Sequence, residues 1–341
     1  MGALAAGQLT LADWVRRIDP SGKVDNKIAE VLSQQNEILE DVVMLEGNLP
    51  NGHQVTIRTG LPPAYYRSIN QGVPTGKSTT AQVTEACAML EAFSRIDEAE
   101  AELNGNTADF RWSEDVAFLE SMNQQWADGL FYGNPATDPR QFLGLSGRYS
   151  SLSAANGANI LSAGGSGSSL CSIWLVGWGE KSVFCPFPKG SKAGLTSVDD
   201  GKITVPDTNG NPYKVYQTQY KLRPALCVKD WRFVVRICNI DTSTFAGLTG
   251  TQATTAVATN IIHMMLRAID RLPNFDGIRP AFYMNRSAFS LLRRLAVEKS
   301  INALALEAGA NQFGTPMKWA SFEGIPLRKV DRLLLTETTI I

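Results

Sequence analysis

Residues 47–84 read GNLPNGHQVTIRTGLPPAYYRSINQGVPTGKSTTAQVT and contain no carboxylate. Gly47-Asn48-Leu49-Pro50-Asn51-Gly52 is a dense cluster of turn formers. Val55, Ile57 and Thr59 then alternate with polar residues, the period of a strand with one covered face. Pro62-Pro63 breaks the pattern and Tyr65 and Tyr66 follow. Residues 71–80 are small and polar, and Val83 opens a second extended stretch. The pattern predicts an extended two-stranded arm with a flexible tip. Its apolar bulk is too small for a core of its own. An arm of this kind rests on something else, often another subunit.

Upstream, residues 10–18 read as a short helix, and Val24, Ile28, Val31, Leu32, Ile38, Leu39, Val42 and Val43 set a 3.6-residue stripe that predicts a helix over 24–44. Downstream, 97–103 reads as a short acidic helix ended by Asn104-Gly105-Asn106. Ser113, followed by Glu114 and Asp115, reads as the N-cap of a helix of about 18 residues, roughly 27 Å long. Val116, Leu119, Met122, Trp126 and Leu130 form its apolar face, and Gly133-Asn134-Pro135 stops it. Residues 134–169 are low in charge and rich in Gly, Ser, Ala and Asn, the composition of a linker or surface loop.

A strand-rich region follows. Residues 171–178, 183–187, 213–220 and 226–240 are strand-like, and Asn209-Gly210 marks a hairpin turn between 203–205 and 213–215. Helices are predicted over 253–271 and 286–297, with a short strand at Phe282-Tyr283-Met284 and a last extended segment from Gly324. Segregated strands and helices point to an α+β fold rather than a regular βαβ array.

The composition narrows the function. The 341 residues are 44% hydrophobic, and 32 Lys+Arg against 33 Asp+Glu leave a net charge of −1. Gripping nucleic acid as a main task calls for a basic excess, which is missing overall. The five cysteines, Cys87, Cys171, Cys185, Cys227 and Cys238, are odd in number and have no C-x-x-C pair, so buried free thiols are expected and no zinc site. Neither a signal peptide nor a membrane-spanning run is read, so a soluble chain is expected. The segment Gly72-Val73-Pro74-Thr75-Gly76-Lys77-Ser78 is one residue short of a phosphate loop. Gly164-Gly165-Ser166-Gly167-Ser168 misses the last glycine of a nucleophile elbow, and no strand is read into it. His53 and His263 are too few for a metal cluster and lie without a catalytic partner pattern, and Glu98, Glu100 and Glu102 read as a solvated face. No enzyme and no cofactor are expected.

The order of these segments resembles the major capsid proteins of tailed bacteriophages with the HK97-type fold, over nearly the whole chain. Leu11-Ala12-Asp13-Trp14, Arg17 and Asp19-Pro20-Ser21-Gly22-Lys23 are similar to the opening of one branch of that family. Residues 46–53 and 56–62 resemble the start of its E-loop. Asn104-Gly105-Asn106-Thr107, Ser113-Glu114-Asp115 and Phe131-Tyr132-Gly133-Asn134 resemble the segments that bracket its spine helix. Met284-Asn285-Arg286-Ser287, residues 322–328 and Val330-Asp331 match its later landmarks.

The resemblance implies an N-terminal arm over 1–46, an E-loop over 47–90, a peripheral domain with the spine helix over 91–149, an axial domain over 150–320, and C-terminal strands over 321–341 that return to the peripheral domain. It implies self-assembly into pentamers and hexamers of an icosahedral shell around double-stranded DNA, in the bacterial cytoplasm. Its partners would be further copies of the chain, a scaffolding protein, a portal and a decoration protein, with DNA touched non-specifically and no membrane. An encapsulin-type cargo shell of the same fold is the alternative. Covalent cross-linking through Lys77, the E-loop lysine, is not expected. In the family the E-loop of one subunit lies over the peripheral domain of the next. The basic residues of this E-loop are Arg58, Arg67 and Lys77, and residues 91–130 carry ten acidic residues against Arg95 and Arg111. Arg58, Arg67 and Lys77 are therefore expected to meet Glu114, Asp115 and Glu120 of a neighbour.

Overall fold

A computed structural model of the chain describes residues 34–102, 107–243, 256–297, 304–310 and 316–341. The first elements are α1 (Ile38–Asp41), β1 (Met44–Glu46), β2 (Gly52–Gly60), β3 (Thr79–Ala86), β4 (Leu90–Asp97), α2 (Glu98–Glu102), α3 (Thr107–Tyr132) and α4 (Leu145–Arg148). Next come β5 (Ile160–Ser162), β6 (Leu170–Trp178), β7 (Val183–Phe187), β8 (Thr196–Pro206), β9 (Pro212–Leu222), β10 (Cys227–Val228) and β11 (Val234–Asp241). The chain continues through α5 (Ala256–Ile269), β12 (Arg279–Met284), α6 (Arg286–Val297), β13 (Leu304–Ala310), β14 (Pro316–Phe322) and β15 (Ile325–Lys329).

β6 organises the body. All nine of its residues are buried, as a nearly continuous apolar run interrupted only by Ser172 and Gly177 requires when both faces are covered. It runs antiparallel to β11 on one side and to β12 on the other. β15 lies parallel to β12, and β14 and β13 continue the sheet. β5 extends the other side beyond β11, and β7 joins the end of β6 and brings β1 and β10 with it. The Trp174 ring sits between those of Phe131 and Tyr149, each centroid 6.1 Å away. Trp178 Nε1 donates to the Tyr283 hydroxyl at 2.7 Å, so its buried polar end is satisfied. Ile261, Ile262, Met265 and Ala268 of α5 and Ala288, Phe289, Leu291 and Leu292 of α6 belong to the same core. Their spacing of three to four residues puts one face of each helix inward.

A second sheet has the order β4-β9-β8. The β8–β9 hairpin turns at Asp207–Asn211, where Asp207 Oδ1 accepts from the amides of Asn209 and Asn211 at 2.8 Å each and Gly210 takes φ +87°. α3 joins the two sheets. Met122 packs with Tyr220 and Leu222 of the small sheet, whereas Leu130 and Phe131 enter the main core. At its end the Gly133 amide bonds the Gly129 carbonyl, and a Cβ on Gly133 would lie 2.5 Å from the Phe142 carbonyl oxygen. Only glycine lets the returning chain cross the helix end so closely. Beyond β15, Asn239 exchanges two 2.9 Å hydrogen bonds with the backbone of Ile340 and ties the C-terminal segment to β11.

Several expectations change. The helix expected over 24–44 is helical only at Ile38–Asp41 among the described residues. Val42 turns extended with ψ 124°, the Val43 carbonyl accepts from Cys185 N at 2.8 Å, and β1 pairs in parallel with β7. Residues 1–33, with the helix expected over 10–18, lie outside the described residues. Ser113 is not an N-cap, because α3 has 26 residues and begins at Thr107. It is about 39 Å long, and the Ser113 hydroxyl donates to the Phe110 carbonyl inside it. The stretch 134–169 is no loose linker: Phe142, Leu145, Tyr149, Ile160 and Leu161 are buried in the core. β8 and β9, within 150–320, pair with each other, and β9 pairs with β4, within 91–149. The extended run expected over 226–240 is broken at Trp231–Phe233, a short turn capped by Asp230. Residues 164–168 follow β5, contrary to expectation, but lead into β6 rather than a helix, so the nucleophile-elbow geometry is not formed.

Candidate assembly surfaces

β2 and β3 form a two-stranded hairpin in antiparallel register from Gly52↔Ala86 to Gly60↔Thr79. Its base is fixed to the body. Arg148 of α4 grips Glu85 through two parallel bonds of 2.7 Å, and the same guanidinium donates to the carbonyls of Leu143 and Leu226. Both side chains are largely buried, at 14% and 11% exposure, so the pair acts in a low dielectric and holds the hairpin in one direction. Val55 packs beside Phe184 and Cys227, and Asn48 bonds the backbone of Gln54 in both directions. Gly52 lies against the Glu85 carbonyl, where a Cβ has no room. Burial, and then the nearby Lys229 ammonium, hold the His53 imidazole below its ordinary value.

Beyond the base the hairpin touches little. Every residue from 61 to 77 is exposed. Leu61 is 80% exposed, Ile69 91%, and Tyr66 fully so. Large apolar side chains grouped on a projecting tip mark an interaction surface. Gly72 to Ser78 belong to this tip and lead into β3, whereas a phosphate loop leads into a helix.

The six residues expected at a subunit contact divide. Arg58, Arg67 and Lys77 are exposed on the hairpin and have no ion-pair partner among the described residues. The acids of α3 are more occupied. Asp115 is buried and bonded to Tyr220, whose hydroxyl is pushed up to about 12 by burial and by that carboxylate. Glu120 Oε1 accepts from the amide of Gln34 at 2.9 Å and from Gln124 at 2.8 Å. Glu114 is half-buried and engaged. Within one chain the structure does not bring these cations and acids together. Glu98 and Glu102, expected as a solvated face, clamp Lys202 Nζ at 2.6 and 2.7 Å. Sequence reading missed Glu85 and Arg148. The signal for Glu85 was present, since it is the first carboxylate after the acid-free stretch 47–84.

The cysteine thiols are free. Cys171, Cys185, Cys227 and Cys238 are buried, and burial pushes Cys171 and Cys227 up to about 12 and Cys238 up to about 11. Half-buried Cys87 is likewise pushed up to about 11. At neutral pH these groups are protonated and poor nucleophiles. Among the described residues no group of His, Cys, Asp and Glu could hold a metal ion, and no helix is long and apolar enough to cross a membrane.

An α+β body that carries a coreless, apolar-tipped hairpin and a long helix joining two sheets is a subunit that copies of itself complete, the architecture of a shell-forming capsid protein with the HK97-type fold. The family model of the major capsid protein GP7 matches residues 19–341, and the chain belongs to that family, the major capsid proteins of tailed phages found in the virion shell. The chain is similar to a capsid chain in the structure of bacteriophage Epsilon15, with 31% identity, a TM-score of 0.72, and coverage of 100% of this chain and 99% of that one. The capsid of bacteriophage JBD30 matches at 10% identity and TM-score 0.46, over 90% of this chain and 94% of that one. The encapsulin complex of Synechococcus elongatus matches at 10% identity and TM-score 0.43, over 68% and 97%. Likenesses of this last size carry no weight for function. None of the curated protein sequences compared matches the chain.

Proposed function

We propose that the chain builds a closed icosahedral shell of pentamers and hexamers around double-stranded DNA, and that the 47–90 hairpin of each subunit docks over the acidic helical region of the next. The observation that carries this reading is the hairpin, exposed at every residue from 61 to 77, whose three cations, Arg58, Arg67 and Lys77, have no ion-pair partner among the described residues. In this reading residues 1–46 form an arm, and the parts of 91–149 and 150–320 form the peripheral and axial regions. A scaffolding protein and a portal serve assembly, a decoration protein binds outside, and DNA is contacted without sequence preference. The role is structural, with no catalysis. Complementary charge sets register and encounter rate more than affinity, since an exposed pair is worth about 0–1 kcal/mol.

Arg58→Glu/Arg67→Glu is therefore expected to slow shell formation at about 0.1 M salt, where the Debye length is about 10 Å, and much less at about 1 M, where it is about 3 Å. Light scattering during assembly and electron micrographs of the product check this. Equal assembly at every ionic strength removes the electrostatic part of the docking.

A further inference from the structure

Helix α3 carries one stripe through Trp112, Val116, Glu120, Asn123, Ala127 and Leu130, spaced by three or four residues and so on one side of the helix. Its cover changes along its length. Ala127 and Leu130 are fully buried, and Leu130 enters the main core together with Ile38. Further back, the Asn36 side-chain amide donates to the Asn123 side chain at 3.0 Å. One turn before that, Glu120 accepts from the Gln34 backbone amide at 2.9 Å. Beyond Glu120 the stripe opens. Val116 is half-buried, and Trp112 is 61% exposed. Tryptophan is among the residues that most often anchor a contact, so this end of the stripe is built to be covered.

The course of the chain says by what. From Ile38 through Asn36 to Gln34 the backbone steps along α3 toward its N-terminal end. That course is fixed from the other side, where the Gln35 amide bonds Asp331 at 3.0 Å and the Glu37 amide bonds the Lys329 carbonyl at 3.1 Å. The rise from Trp112 to Glu120 is about 12 Å. Four extended residues, 30–33, span about 13 Å, and eight helical ones, 26–33, span about 12 Å. In either form the residues before Gln34 reach Trp112. They also bring the apolar side chains to cover it, Val24, Ile28, Val31 and Leu32.

We propose that residues 24–33 seat on the Trp112–Val116 face of α3 in their own chain, with their apolar side chains over the indole. The proposal rests on the reading of residues 1–46 as an arm and gives that arm its seat. Apolar burial, absent from the polar anchors at 34–37, then fastens the arm to the long helix.

The test is hydroxyl-radical footprinting of the full-length, unassembled subunit, read by mass spectrometry at Trp112. Trp231, 40% exposed, is the internal reference. Trp112 is expected to be shielded, and to lose that shielding when residues 1–33 are deleted. Ile28→Asp/Leu32→Asp in the full-length chain is expected to do the same, because it sets carboxylates against an apolar face. Urea midpoints show whether each variant is folded, and the double variant carries the test if the deletion is not. Oxidation of Trp112 as fast as Trp231 in the full-length subunit overturns the proposal, and so does shielding that persists in both variants. Shells then separate the remaining cases. Shielding found only in shells and lost in Ile28→Asp/Leu32→Asp seats the arm on a neighbour, which overturns the own-chain contact and keeps the arm reading. Shielding found only in shells and kept in that variant overturns both and gives Trp112 to a neighbour's hairpin.

Discussion

Arg236→Met is expected to lower the unfolding free energy of the subunit by about 3–5 kcal/mol, the usual cost of stranding one partner of a buried ion pair. Arg236 on β11 is 3% exposed and Glu337 6%, and they meet at 3.0 Å. Their neighbours are equally committed. The Arg236 guanidinium donates to Ser172 Oγ at 3.1 Å and to the Tyr149 carbonyl at 2.8 Å, and it stacks 4.7 Å from the Trp174 ring. Glu337 also accepts from the Tyr132 hydroxyl at 2.7 Å and from the Ser172 hydroxyl. The cluster thus joins α3, β6, β11 and the C-terminal segment. Methionine keeps much of the packing volume but leaves the Glu337 carboxylate in an apolar core with two hydroxyl donors.

Removing the second charge as well, in Arg236→Met/Glu337→Leu, is expected to recover most of the loss, because two apolar groups replace two charges. What remains is the cost of the Ser172 and Tyr132 hydroxyl protons left without an acceptor, about 1–3 kcal/mol each, although the Tyr132 oxygen still accepts from the Leu334 amide at 3.0 Å. Arg286→Ala removes a pair in which the arginine side chain is 64% exposed, and is expected to change stability by no more than about 1 kcal/mol. Urea unfolding of the three purified variants checks the order. A cost for Arg236→Met no larger than that for Arg286→Ala would contradict the role given to the buried cluster.

The sequence disclosed elements whose local chemistry and tertiary role agree. β6 reads as a buried strand because both of its faces are covered, and the Asn209-Gly210 turn fixes the β8–β9 hairpin without help from afar. The start of α3 was hidden by a conflict between the two. Ser113-Glu114-Asp115 has the local signature of a helix start, yet Phe110 packs in a small cluster with Ile96 and Ala101, and that contact extends the helix back to Thr107. Val42 and Val43 continue a helical apolar period, but β1 pairs with β7 across about 140 residues of chain, which no local pattern reveals. The low-charge stretch 134–169 looks like a linker by composition, while its few large residues, Phe142, Leu145 and Tyr149, are the ones that anchor it. The candidate site splits the same way. Arg58, Arg67 and Lys77 were legible because they are the only charges in a long exposed segment. The acids on α3 were not, because charge counting does not tell which side of a helix meets a sheet. Glu114 and Asp115 are adjacent, yet Asp115 is the one buried against Tyr220.

Replacing residues 61–77 by Asn-Gly, which with Ser78 closes Gly60 to Thr79 by a three-residue hairpin loop, is expected to leave the subunit folded and to abolish shells. The cut spares what the body needs. Val55 stays in its cluster with Phe184 and Cys227, and Glu85 keeps Arg148. The removed residues are all exposed, so they bury little within one chain, and the unfolding free energy is expected to change by no more than about 1 kcal/mol. Between copies the balance is different. Leu61, Tyr65, Tyr66, Ile69 and Val73 leave the tip together, and each large apolar side chain is worth about 1.5–3 kcal/mol when fully buried. That loss recurs at every contact in the shell and exceeds what reversing Arg58 and Arg67 can do, since exposed charges act mainly on encounter. Salt therefore separates the two variants. High ionic strength restores assembly of the charge-reversed chain but not of the truncated one, because screening leaves apolar burial untouched. Sedimentation and electron microscopy of the truncated protein, beside its urea midpoint, decide the matter. A large drop in midpoint would make the tip part of the subunit's own core, and closed shells would free assembly from it altogether.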